Sequence, residues 1–131
     1  MKAPPTLKLG REASGTYIAI AIDVDAPYGS LPFLSPIVHW IQPGLNPNDL
    51  GELESDSPCV VDWLAPAPPP FSAPHRYIIV VYQQPANMDV SKWNTKFVKP
   101  VSIASRIRWS LDDFASQAGL EEMIAASYFC N

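Results

Sequence analysis

The sequence predicts a mainly β domain closed by one short C-terminal helix. Three observations carry this. Thr16–Ile22 and Tyr77–Tyr82 are apolar on both faces of an extended chain, as strands covered on both sides are. Fifteen prolines are spread through the segments between them, which suits long structured connections better than a helical bundle. Near the C-terminus the apolar period changes to a helical one.

The chain has 131 residues, the size of a single domain (1–131) with one real core. Its 47% hydrophobic and 17% charged content describes a globular protein. The net charge is −4 with no Lys/Arg cluster, so no basic stripe is available for nucleic-acid phosphates. No apolar run reaches the ~20 residues of a membrane helix. Met1–Pro5 is not followed by an apolar run of signal-peptide type. The default compartment is therefore cytoplasmic. Secretion is the alternative if Cys59 and Cys130, the two cysteines, form a disulfide rather than two thiols.

Residues 1–15 form a proline-containing lead, with a turn at Gly10–Gly15. The first strand, Thr16–Ile22, is β-branched and buried. It runs into Asp23–Val24–Asp25–Ala26–Pro27, where the two carboxylates share a face and repel unless something compensates. Capping a turn through backbone N–H groups is one compensation, and it suits Asp25 better than Asp23. Tyr28–Pro36 reads as a loop and Ile37–Ile41 as a short strand holding His39. Gln42–Pro58 reads as a mobile polar loop, and Cys59–Trp63 as a short edge strand.

Leu64–Pro70 contains four prolines and cannot join a ladder. It delivers His75, one of two histidines, to the mouth of the strand Tyr77–Tyr82. Pro85–Lys99 reads as a loop anchored by Trp93 and Phe97. Ser110, followed three residues later by Asp113, starts a helix over Leu111–Ala118. Leu111, Phe114, Ala115 and Ala118 form its apolar face, and Gly119 stops it. Met123–Phe129 is a final extended segment.

The polar residues that stand out are Asp23, Asp25, His39, His75 and Tyr77. If their strands are neighbours, all five meet at one end of a sheet. Metal binding would use His and Asp, yet no His-x-His or His-x-x-x-His pair is present. Nucleophilic catalysis would have to use Ser72 near His75, without a Gly-x-Ser-x-Gly elbow. An anion pocket uses all five: two imidazoles and the Tyr77 hydroxyl donate, and the acids orient the imidazoles. His39 in its apolar strand also has a plain reading, as a hydrogen-bonded core residue.

Taken together, Asp23–Val24–Asp25–Ala26–Pro27, His39–Trp40, Pro66-x-Pro68–Pro69, Pro74–His75–Arg76–Tyr77 and Val81–Tyr82–Gln83 resemble the phosphatidylethanolamine-binding protein family. The segments Arg106–Trp109, Ala118–Leu120 and Ala125–Phe129, with Phe114, are similar to the C-terminal part of its fungal members. The resemblance implies an antiparallel β-sandwich whose N-terminal strands are shortened or missing here. It implies a pocket for phosphate- or carboxylate-containing anions, including phospholipid head groups. Asp23, Asp25, His39, His75 and Tyr77 fall on its ligand-binding motifs. It also implies a cis peptide at Ala26–Pro27 and action through protein partners. No cofactor or metal is expected.

Departures are visible. Val24 replaces a proline, and Ala65, Phe71 and Ala73 stand where the family carries glycines, giving a more apolar pocket entrance. The expected function is therefore a ligand-binding module. The alternative is an accessory or catalytic protein of fungal secondary metabolism, which would hold a carboxylate or anhydride intermediate with His39 or His75 as general base.

Overall fold

The computed structural model describes residues 3–10 and 13–131. Its centre is one antiparallel sheet of five strands. These are β1 (Tyr17–Asp23), β2 (Ile37–Pro47), β3 (Leu53–Glu54), β4 (Arg76–Gln83) and β5 (Met123–Cys130), in the order β3-β2-β1-β4-β5. Every residue of β1 is buried, because this strand is flanked on both edges and covered on both faces. The alternation in β4 works as its sequence demands: Val80 and Tyr82 face one core, Ile79 and Val81 the other.

The first core packs Ile18, Ile20 and Val80 under two short helices, α1 (Val90–Lys96) and α2 (Leu111–Ala118). Helix α2 begins and ends as its residues require. The Ser110 hydroxyl accepts from Asp113 N–H, and Gly119 closes the helix at φ 75°, where a side chain would be strained. The second core packs Ala19, Ala21, Trp40 and Val81 against Leu7, Leu9 and Trp63. The N-terminal lead is thus tied down, with Leu53 N–H donating to Leu7 O at 2.8 Å and Leu9 N–H to Gly51 O at 2.9 Å.

Three segments differ from expectation. Within the expected loop 42–58, residues 42–47 and Leu53–Glu54 are strand. A bulge opposite Tyr17 and Ala19 takes up Pro43 and Gly44, so the proline and glycine shift the register without ending β2. Residues 59–63 are not an edge strand. Val60 and Val61 are fully buried, and one bridge, Val61 to Ile41, joins them to β2. Residues 90–96 form a helix where a loop was expected. The Asp89 carboxylate caps it by accepting from Ser91 N–H, and Trp93 docks it into the core.

Cys59 and Cys130 are free thiols. Cis peptides occur at Ala26–Pro27, as the resemblance implied, and at Ser35–Pro36 and Lys99–Pro100. No helix of the described residues is long and apolar enough to cross a membrane.

Candidate functional site

Antiparallel pairing of β1 with β4 sets Asp23 opposite Tyr77. His75 lies just before β4, held by two reciprocal backbone bonds to Asn131, and its imidazole meets the end of β1. His39 comes from β2, which pairs with the other edge of β1. These side chains line a cavity of about 220 Å³ with Leu34, Ile37, Ala67 and Ile103 among its apolar walls. Four of the five expected residues, Asp23, His39, His75 and Tyr77, are therefore brought together.

Asp25 is placed elsewhere. Its carboxylate accepts from Arg76 Nε at 2.9 Å, Arg76 Nη2 at 2.9 Å and Arg76 N–H at 2.7 Å. This bidentate clasp holds the Asp25 carboxyl below the usual carboxylate range. It locks the turn after β1 to the start of β4. The turn-capping carboxylate is that of Asp23: its Oδ1 accepts from Asp25 N–H at 2.8 Å.

The two histidines have different environments. His75 Nδ1 lies 2.8 Å from Asp23 Oδ2, and Nε2 lies 2.8 Å from the Pro27 carbonyl. Both ring nitrogens are therefore engaged by the protein. As it stands, His75 has no N–H left for a ligand.

His39 donates from Nδ1 to the Leu64 carbonyl at 2.6 Å, while Leu64 N–H donates to the His39 carbonyl at 2.8 Å. Burial pushes the His39 ring below the ordinary histidine range, and the nearby Arg106 charge adds to this. Burial thus favours the neutral ring, in which Nδ1 carries the proton and Nε2 the lone pair. Of the two imidazoles, only that of His39 has a ring nitrogen without a partner among the described residues.

Tyr77 stacks on Phe129 at 5.2 Å and meets the His39 ring edge-on at 5.3 Å. Burial raises its phenol above the ordinary range, so it stays an O–H donor. Among the described residues, neither Tyr77 Oη nor His39 Nε2 has a hydrogen-bond partner. Neither is among the unpartnered atoms sealed from solvent, which are Ser72 Oγ and Asn94 Oδ1. Among the described residues, no group of three or more His, Cys, Asp or Glu side chains is placed to hold a metal ion.

One residue of the site's frame has no spacing signal in the sequence. Arg106 is 1% exposed. Its guanidinium donates to the carbonyls of Val101 at 3.0 Å, Asp62 at 2.8 Å and His39 at 3.2 Å, and pairs with the Asp62 carboxylate at 3.1 Å. It ties β2 to the segment that carries Leu64. Arg106 opens the family-like segment Arg106–Trp109, but no spacing signals its framing role, because its partners are mostly backbone carbonyls.

Comparison with known proteins gives a consistent picture. A family model described as phosphatidylethanolamine-binding protein matches residues 2–129. The phomoidride biosynthesis cluster protein N of Talaromyces stipitatus is 32% identical over 117 residues, covering 86% of this chain and 57% of that protein. The protein of the same name from a fungal species is also 32% identical over 117 residues, with 51% of its length covered. The chain thus spans about half the length of these curated relatives.

Among solved structures, the carboxypeptidase Y inhibitor complexed with its cognate proteinase superposes with a TM-score of 0.68 at 22% identity. That match covers 88% of this chain and 58% of the inhibitor chain. A phosphatidylethanolamine-binding protein from Plasmodium vivax gives 0.53 at 15% identity, covering 86% of this chain and 61% of that one. At such identities these two structures establish the shared fold.

Proposed function

This chain belongs to the phosphatidylethanolamine-binding protein family, and we propose that it is a binding module for small molecules carrying an oxygen-acid group, phosphate or carboxylate. The observation that carries the reading is the pairing of Tyr77 Oη and His39 Nε2. These two unpartnered polar atoms belong to residues lining one small, largely apolar cavity. Pockets of this make-up, with apolar walls and a few placed polar atoms, bind small ligands. The ion pair of Asp23 and His75 forms the rear wall and holds the turn that shapes the cavity. Asp25 serves the frame through Arg76 and stands outside the contact set.

The test is a titration with butyrate, inorganic phosphate and phosphoethanolamine, read by NMR at the His39 and Tyr77 rings. At least one ligand should shift both rings together, and Tyr77→Phe should weaken it about tenfold, the loss of one hydrogen bond in a buried site. If no ligand moves either ring, the reading fails.

A second reading has its own support, the similarity to a fungal biosynthesis cluster protein. In it the chain assists a biosynthetic step on a carboxylate or anhydride intermediate. His39 is then the general base, because His75 has both nitrogens engaged. Turnover lost in His39→Gln with ligand affinity kept within about threefold would favour it. Equal loss of both would speak for binding alone. A protein partner, as in the inhibitor–proteinase complex of the shared fold, is compatible with either reading.

A further inference from the structure

We propose that the outer edge of β5 is a self-association surface, on which a second copy of this chain adds its own β5 antiparallel, about a two-fold axis at Ser127. The inference stands apart from the cavity and its ligand.

The two edges of the sheet differ. One ends in β3, two residues long and carrying Glu54. The other ends in β5, eight residues without a charge, a proline or a glycine, the devices that keep strand edges from pairing. The register shifts between the pairs Val81–Ala125 and Tyr82–Met123, so Ala125–Cys130 is the regular part of the strand. His75 and Asn131 exchange both backbone hydrogen bonds, at 2.8 and 3.1 Å. Bonded and non-bonded pairs alternate along an antiparallel ladder, so Phe129, Ser127 and Ala125 likewise turn their N–H and C=O groups toward β4. Those of Cys130, Tyr128 and Ala126 point outward, where no strand of the described residues lies. The chemistry that satisfies such an edge is another strand.

The side chains say which strand. Ala125–Ala126–Ser127–Tyr128–Phe129 runs from two small residues through a serine to two aromatic rings. A two-fold axis normal to the sheet keeps each face on its own side. Placed at Ser127, it sets Tyr128 opposite Ala126 of the second copy on one face, and Phe129 opposite Ala125 of the second copy on the other. Large thus stands against small on both faces, and the outward N–H and C=O groups of Ala126 and Tyr128 meet as a hydrogen-bonded pair. Tyr128 is 70% exposed, and a groove lined by Arg76, Ile78 and Ala126 lies beside it on the same face. The ends match as well. The antiparallel arrangement carries Glu121 and Glu122 of one copy toward the end of β5 where Arg76 of the other stands, opposite Cys130. A parallel one would set the two acidic pairs side by side. A single pair of strands buries less than the ~1,200 Å² of a stable interface, so the dimer is weak, with a Kd on the order of 100 μM.

The test is sedimentation equilibrium of the whole chain from about 10 to 1,000 μM, with amide hydrogen exchange at both ends of the range. The chain should pass from monomer to dimer. The Ala126 and Tyr128 amides should exchange freely at the dilute end and become protected at the concentrated one. Ala126→Glu and Tyr128→Lys should each weaken the dimer about tenfold or more, and the double variant should regain it, because each new lysine then faces a new glutamate of the other copy. Ser127→Cys, with Cys59→Ser and Cys130→Ser, should close a disulfide between copies under mild oxidation. The axis makes Ser127 a non-bonded pair with itself, whose Cα atoms stand about 4.5 Å apart.

A monomer throughout the range would overturn the proposal, and Ala126 and Tyr128 amides protected in that monomer would show that the edge is covered within the molecule. A dimer or larger assembly indifferent to both single variants would overturn it too, by placing the contact on another surface.

Discussion

The guanidinium of Arg106 holds the main-chain carbonyl of His39 at 3.2 Å while His39 binds Leu64 through its ring. A fully buried charge is thus used to fix the backbone of a cavity-lining residue. Arg106→Met should cost about 3 kcal/mol, because it removes the counter-charge of the Asp62 carboxylate and the side-chain donor to the carbonyls of Val101 and Asp62. Urea unfolding of the variant checks this. Arg106→Lys should recover less than half, since one ammonium cannot span the same set of acceptors.

Asp23→Asn tests the rear wall. The amide has one acceptor oxygen where the carboxylate uses two, for Asp25 N–H and for His75 Nδ1, and both groups are buried. A loss of about 2 kcal/mol is expected from the charge-assisted hydrogen bond alone. The cavity should also become less selective, because the turn bearing the Pro27 carbonyl loses its anchor. Thermal unfolding, with the probe titration repeated, reads both effects.

The pH dependence of stability follows from His39. Its folded value lies below the ordinary 6.5 because burial disfavours the charged ring. The unfolded chain therefore binds the proton first as pH falls. Stability from this residue is complete above 6.5 and is lost between 6.5 and the lower folded value. The slope in that window is at most about 1.4 kcal/mol per pH unit. Denaturant midpoints from pH 7.5 to 5 should fall more steeply for the native chain than for His39→Gln.

Phe71 sits on the proline segment with φ 66° and its ring wholly in solvent. A side chain in that left-handed region is strained and here gains no packing in return. Phe71→Gly should therefore stabilise the chain, by up to about 1 kcal/mol. Calorimetry decides it. Destabilisation would mean that the ring does pack in solution.

The fold was legible where one physical signal dominated. β1 and β4 showed through because both faces of each are apolar. α2 showed through because Ser110 and Gly119 bracket a clean apolar period. The extension of β2 was hidden: Pro43 and Gly44 normally end a strand, and only pairing with Tyr17 and Ala19 reveals the bulge that absorbs them. α1 was hidden because Val90, Asn94 and Thr95 are weak helix formers, and Trp93 docking outweighs them.

In the site, residue types brought Asp23, His39, His75 and Tyr77 to notice. Their proton states were out of reach, because these depend on the carbonyls of Leu64 and Pro27, which any residue could supply. Arg106 was out of reach for the same reason.

The pocket is assembled from pieces far apart along the chain. Asp23 and His75 are separated by 52 positions, His39 and Leu64 by 25, and Arg106 and His39 by 67. Contacts of such range form only after long loops have closed, at an entropic cost that slows folding. A growing chain on the ribosome lacks part of the cavity lining until Ile103 has emerged. A ligand that recognises the whole cavity consequently recognises only chains that have folded at least this far. Binding, followed against refolding time, would serve as a clock for the last stage of assembly.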